Sequence, residues 1–263
     1  MNDVVYLYGF VPSDAPPPAD VAGVGDAPVR LLKLGPVQAA VADLPAGVYG
    51  ADAVEARLED LDWVGEQGLA HERVVTWFAD NAEILPARLF SLYSGEQALR
   101  DAVGARMDEV TTGLRALSGR REWNLKVAYD ADELARHGSD VSPELKRLDD
   151  EIAAASPGRR YLLERRRGDL VKQEVTRAGR TLAHELLEGL RPHAADVRIL
   201  PLAESEEQGT VTLNAALLVD RDAETALRTH AAELYARYTE LGMIVSFSGP
   251  WAPYRFVDVY GDT

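Results

Sequence analysis

"GTVTLNAALLVDRDAETALRTHAAELYARYTELGMIVSFSG", residues Gly209 to Gly249, reads as a strand, a helix and a strand. Its first twelve residues are rich in β-branched and apolar types. Asp222 is positioned to cap a helix whose apolar face is Leu227, Ala231, Leu234, Tyr238 and Leu241, and Gly242 stops it. "MIVSFSG" then reads as the last strand, broken by Gly249-Pro250. Upstream, "EWNLKVAYD" alternates Trp123, Leu125, Val127 and Tyr129, which predicts another strand. A helical region follows from about Pro143 to Leu190, interrupted at "SPG", where Ser156 is the expected cap and Pro157 suits the first helical position. Val171, Val175, Ala178, Leu182, Leu186 and Leu190 form its stripe, and "DVRILPLA" is a further strand. The order is β-α-β-β-α-β, the split pattern of a ferredoxin-like domain with a long helical insertion. Right-handed crossovers put its first and third strands at the centre of a four-stranded antiparallel sheet, with helices on one face.

The N-terminal half predicts a separate α+β domain. "DVVYLYGFV", "VRLLKLG" and "VQAAVADLP" read as strands, the first followed by a Pro- and Gly-rich loop. A long helix is expected from Asp52, with Glu55 in capping-box spacing and Leu58, Leu61, Val64, Val75 and Phe78 on its apolar face. "EILPARLFSLYSG" reads as extended, and "EQALRDAVGARMDEVTTGLRALSG" as one helix. The expected division is an N-terminal domain over 1–119, a ferredoxin-like domain over 120–257 and a tail at 258–263.

The chain has 263 residues, 46% hydrophobic and 27% charged, enough for two cores. Its net charge of −15 argues against nucleic acid as a partner, because phosphate binding needs a basic face. Residues 1–120 carry 18 acids against 9 bases, and the remainder 25 against 19. The absence of cysteine excludes disulfides and thiolate chemistry. No signal peptide and no membrane-length apolar run is present, which predicts a soluble protein of the cell interior.

No catalytic motif is found, and no cofactor or metal is expected. The five histidines lack ligand spacing, and His71 falls in line with Val75 and Phe78, facing the core or an interdomain seam as a neutral, hydrogen-bonded residue. The acid pairs in "LDDE" (Asp149–Glu151) and "ESEE" (Glu204–Glu207) read as solvated. The densest basic segment, Arg159 to Arg180, contains Arg165, Arg166 and Arg167. It reads either as a salt-bridged, solvated helix face or as a patch for an acidic partner, another copy's acidic half included.

"FSGPWAPYRFV" (Phe247–Val257) resembles the terminal signature of the gas vesicle protein F/L family, close to Gly-Pro-Trp-Pro-Pro-Tyr-x-Phe. "YLYGFV" (Tyr6–Val11), "HERV" (His71–Val74), "ILPARLF" (Ile84–Phe90), "EWNLKV" (Glu122–Val127) and "GRRYL" (Gly158–Leu162) match other family segments in order. Ala252 stands where the family has its second proline, and Ala87, Ser91 and Leu92 depart from the Leu-Pro-Leu-Arg-Phe-Gly-Thr consensus.

The resemblance implies a non-enzymatic assembly factor or minor structural protein of gas vesicles, in the cytoplasm and vesicle-associated, with the two domains above. Its implied partners are the small, hydrophobic major shell protein and other gas vesicle accessory proteins, with no nucleic acid and no membrane. Pro250, Trp251, Pro253, Tyr254 and Phe256 are then either an interdomain clamp or a docking surface for the shell protein. A rival reading is a small-molecule-binding or enzymatic protein using the open sheet face around Lys126.

Overall fold

A computed structural model describes residues 3–202 and 209–258. It is a mixed helix-and-sheet protein whose contacts divide the chain into two compact units, Met1–Glu122 with Pro250–Thr263, and Trp123–Gly249. The expected second domain over 120–257 is therefore drawn differently at both ends. Ala252 and Tyr254 pack into the first core, which draws their segment into the first unit.

The first unit begins with β1 (Asp3–Pro12), β2 (Arg30–Lys33) and β3 (Val37–Pro45). Three helices follow, α1 (Ala46–Tyr49), α2 (Ala51–Glu55) and α3 (Leu61–Asn81). The short strands β4 (Leu85–Pro86) and β5 (Leu92–Tyr93) precede α4 (Glu96–Gly104) and α5 (Met107–Leu117). The sheet runs β2-β3-β1-β4, with β5 also on β1. β1 is buried from Val5 to Pro12's neighbour Val11, which accounts for its nearly continuous apolar run. A register shift between Leu7 and Gly9 kinks it against β3. Gly9 is required there, since a Cβ would lie 2.6 Å from the Leu85 carbonyl oxygen.

Two helical expectations change. The helix predicted from Asp52 is interrupted after α2, and α3 restarts at Asp60, whose side chain accepts the Trp63 N–H at 3.1 Å. Its buried face is Trp63, Gln67, Ala70, His71, Val74, Val75 and Phe78, while Leu58 and Leu61 are exposed. Trp63, not Leu61, is the first core anchor. The second predicted helix is two, α4 and α5, because Arg106 leaves helical geometry at φ −129°, ψ 20°.

The second unit contains most of β6 (Arg120–Tyr129), then α6 (Ala131–Arg136), α7 (Gly138–Val141), α8 (Pro143–Ala154) and α9 (Pro157–Leu190). β7 (Asp196–Ile199), β8 (Thr210–Asp220), α10 (Glu224–Thr239) and β9 (Met243–Trp251) complete the order. The strands lie β7-β8-β6-β9, so the first and third are central, as the crossover rule requires. Trp123, Leu125, Val127 and Tyr129 of β6 share a core with the buried residues of α9 and α10, and Trp123 stacks on Phe247 at 5.1 Å.

The caps differ from expectation. Ser142 caps α8 by accepting the Leu145 N–H at 3.2 Å, whereas Ser156 makes no capping bond and Pro157 alone sets the start of α9. α10 starts after Ala223 without a side-chain cap, so Asp222 does not serve. Gly242 does end the helical segment, in the left-handed region at φ 88°. Gly249-Pro250 does not end β9, which continues to Trp251.

Candidate interaction surfaces

The terminal segment is held at four of its positions. Ala252 and Phe256 are buried, and Tyr254–Phe256 forms a short 3-10 turn. Between them, the Tyr254 hydroxyl donates to Glu72 Oε2 at 2.9 Å. The Arg255 backbone N–H donates to Glu122 Oε2 at 2.9 Å and its guanidinium to Oε1 at 2.5 Å. The Glu122 side chain is 1% exposed. Burial holds its carboxyl above the ordinary range, although Arg255 pulls the other way. Burial first, then Glu72, pushes the Tyr254 phenol far up, so it remains a neutral donor.

These bonds adjoin a buried aromatic cluster. Tyr6 and Tyr8 extend from β1 toward His71 of α3, with Tyr6 Oη 2.8 Å from His71 Nδ1. The Tyr6 hydroxyl also accepts the Phe90 N–H at 3.3 Å. Burial lowers His71 to about 4, with the Ala87 backbone opposing, which keeps the ring neutral as expected. The Tyr254 ring lies 6.3 Å from that of His71. Phe90 adopts φ 61°, unusual for a bulky residue, and is held there by Tyr6 and by stacking on Trp63 at 5.3 Å. Five of the six sequence motifs quoted above thus meet in one cluster of the first unit, through Tyr6, His71, Glu72, Phe90, Glu122 and Tyr254.

The candidate residues therefore separate. Pro253 and Phe256 are buried, Pro250 and Tyr254 are half-buried, and Trp251 is 44% exposed at the end of the edge strand β9. Trp251 is the large aromatic of the segment that reaches solvent.

The basic helix also divides. Arg167 forms a two-pronged pair with Asp149 of α8, Nε to Oδ1 at 2.5 Å and Nη2 to Oδ2 at 3.2 Å, and this holds the Asp149 carboxyl below its usual range. Arg167 thus ties α9 to α8, and Asp149 is not simply solvated. Arg165 and Arg166 are exposed. The first turns of α9 also carry Tyr161 and Leu162 in solvent, a feature the helical pattern had not marked because the stripe was read only from Val171 onward. The "ESEE" segment lies outside the described residues.

Lys126 is half-buried, and its same-face neighbours Ala128, Ala216 and Leu218 are buried apolar residues. A cleft of about 590 Å³ opens at the sheet end, lined by Tyr129, Asp130, Asp132, Gly209, Thr210 and Ile244. Among the described residues no group of three or more His, Cys, Asp or Glu could hold a metal, and no helix is long and apolar enough to cross a membrane.

A family model described as "Gas vesicle synthesis protein GvpL/GvpF" matches residues 4–258. The chain is 30% identical to gas vesicle protein L of Streptomyces sp. (strain CB03234), over 97% of this chain and 92% of that protein. It is 28% identical to gas vesicle protein F of the same strain, over 96% of this chain and 99% of that protein. The crystal structure of the gas vesicle protein GvpF from Anabaena sp. PCC7120 superposes with a TM-score of 0.71 at 18% identity, covering 97% of this chain and 98% of that chain.

Proposed function

The chain belongs to the gas vesicle synthesis protein GvpL/GvpF family, and from that premise we propose that it serves gas vesicle formation as a binding protein rather than an enzyme. Its partner is the small, hydrophobic major shell subunit, whose apolar face it covers until that subunit joins the wall. It works in the cytoplasm and at the growing vesicle, in the company of other gas vesicle proteins. The first unit is its N-terminal α+β domain, and the second its ferredoxin-like domain, with α9 as its first helix and α6–α8 as the helical insertion.

The observation that carries this reading is the exposure of Trp251 beside a segment held rigid by the Tyr254–Glu72 and Arg255–Glu122 bonds. A pre-organised aromatic loses little freedom on binding and makes a good anchor for an apolar partner. The net charge of −15 keeps a complex with an aggregation-prone subunit in solution.

The test is capture of the shell subunit from vesicle-forming cells by wild type and by Trp251→Ala, each checked for an unchanged melting temperature. Capture by wild type and not by the folded variant supports the reading. Equal capture by both removes Trp251 from the interface, and capture by neither removes the shell subunit as the partner.

A further inference from the structure

Two exposed patches of this chain complement each other. The first opens α9, where Tyr161 and Leu162 are 67% and 65% exposed. At 100° per residue, Tyr161, Leu162, Arg165 and Arg166 share one side of the helix. Arg160, Arg165 and Arg166 make no ion pair among the described residues, in contrast to Arg167, which is occupied by Asp149. The result is an apolar pair flanked by Arg160, Arg165 and Arg166, with the Glu164 and Asp169 carboxylates on the same turns, a net basic surface in a chain that is otherwise strongly acidic.

The second patch lies at α2–α3. Leu58, Leu61 and Leu69 are 49%, 79% and 71% exposed. Leu61 and Leu69 are eight residues apart on the same side of α3, with Gly65 between them and no heavy atom within 4 Å of where its Cβ would be. The space over Gly65 can therefore admit a side chain from outside. Glu59, Asp62 and Glu66 stand around this stripe in solvent and have no ion-pair partner among the described residues. Of the nearby cations, Arg57 lies over the Trp63 ring at 4.2 Å, and Arg73, four residues after Leu69, donates to the Ala22 carbonyl.

Exposed leucines in a row are uncommon on a protein that has no use for them. The two patches have matching apolar centres and opposite charge, and both are present at equal concentration in any solution of this protein. We propose that the chain self-associates head to tail. The Tyr161–Leu162 end of α9 in one copy seats on the Leu58, Leu61 and Leu69 stripe of a second copy, and Arg165 and Arg166 face its Glu59, Asp62 and Glu66. Each contact joins two unlike surfaces, and every copy carries one of each. The interface is small and charge-assisted, so it is transient and weakened by salt.

Sedimentation velocity on the full chain tests this, over a wide protein concentration range at low and at high salt. The wild type is expected to shift to larger species with concentration, and less so in high salt. Arg165→Glu with Arg166→Glu disables only the basic patch. Glu59→Lys with Glu66→Lys disables only the acidic one. All four positions are exposed, and Tyr161→Ser provides an uncharged check on the basic side. Each variant alone is expected to associate at least about tenfold more weakly than wild type. An equimolar mixture of the two charge variants is expected to form a 1:1 dimer that does not grow, since each supplies the patch the other lacks. A wild type that stays monomeric throughout, a variant that associates like wild type, or a mixture that remains two monomers overturns the proposal.

Discussion

The Tyr254 hydroxyl donates to a Glu72 carboxylate oxygen at 2.9 Å, joining residues 182 positions apart in sequence. The bond fastens the Gly-Pro-Trp-Ala-Pro-Tyr segment to α3 within the first unit. Tyr254→Phe keeps the ring and deletes the bond. Urea unfolding is expected to show a loss of about 1.5–3 kcal/mol, the range for a hydrogen bond to a charged group. A midpoint unchanged from wild type would show that the bond contributes nothing.

Glu122 and Arg255 form the second fastening, and Glu122 is the buried partner. Arg255→Ala leaves a buried carboxylate without its cation and is expected to cost about 3–5 kcal/mol. Glu122→Gln on top of Arg255→Ala is expected to recover part of that loss, because the unpaired charge is gone. If the double variant is no more stable than Arg255→Ala alone, the cost lies elsewhere.

His71 makes stability depend on pH. Its folded pKa of about 4 lies below the unfolded value of 6.5, so the unfolded chain takes up the proton first. Stability from this group is full above pH 6.5, falls as pH drops to about 4, and changes no further below that; the whole step is about 3 kcal/mol. Glu122, raised by burial, acts with the opposite sign, since its protonation favours the folded form. His71→Gln keeps a hydrogen-bonding group opposite Tyr6 and is expected to flatten the decline between pH 6.5 and 4. The same slope in both proteins would rule out His71 as its source.

Two glycines of α9 have opposite outcomes. A Cβ on Gly168 meets nothing within 4 Å, so Gly168→Ala is expected to stabilise by about 0.5–1 kcal/mol through helix propensity. A Cβ on Gly179 would lie 2.5 Å from the Tyr129 ring, so Gly179→Ala is expected to destabilise by about 1–3 kcal/mol through overpacking. Thermal melts of the two variants check both signs.

The second unit was largely legible from the chain. Alternation in β6, the Leu227–Tyr238 stripe and the Val175–Leu190 stripe are local signals, and the crossover rule orders the strands from them. The start of α3 was not. Leu58 and Leu61 fit the apolar period as well as Trp63 does, and only the filled core shows that Trp63 is the anchor. The candidate surface was legible in composition but not in burial. Trp251, Tyr254 and Phe256 look alike in sequence, and what separates them is the bonds to Glu72 and Glu122, far away along the chain. Arg165, Arg166 and Arg167 are likewise adjacent, and Asp149 on the neighbouring helix decides which one is occupied.

The first unit is assembled from two stretches of chain, residues up to Glu122 and residues from Pro250 onward, with the second unit encoded between them. On a translating ribosome this delays completion of the first unit beyond the usual N-to-C order, in which an N-terminal domain is finished first. Residues 123–249 are synthesised before Ala252, Tyr254 and Arg255, so the first unit waits through their translation for part of its core and for the partner of Glu122. A nascent chain stalled in that interval exposes an incomplete first unit to chaperones and proteases, and synthesis of the Trp251–Phe256 segment ends that exposure.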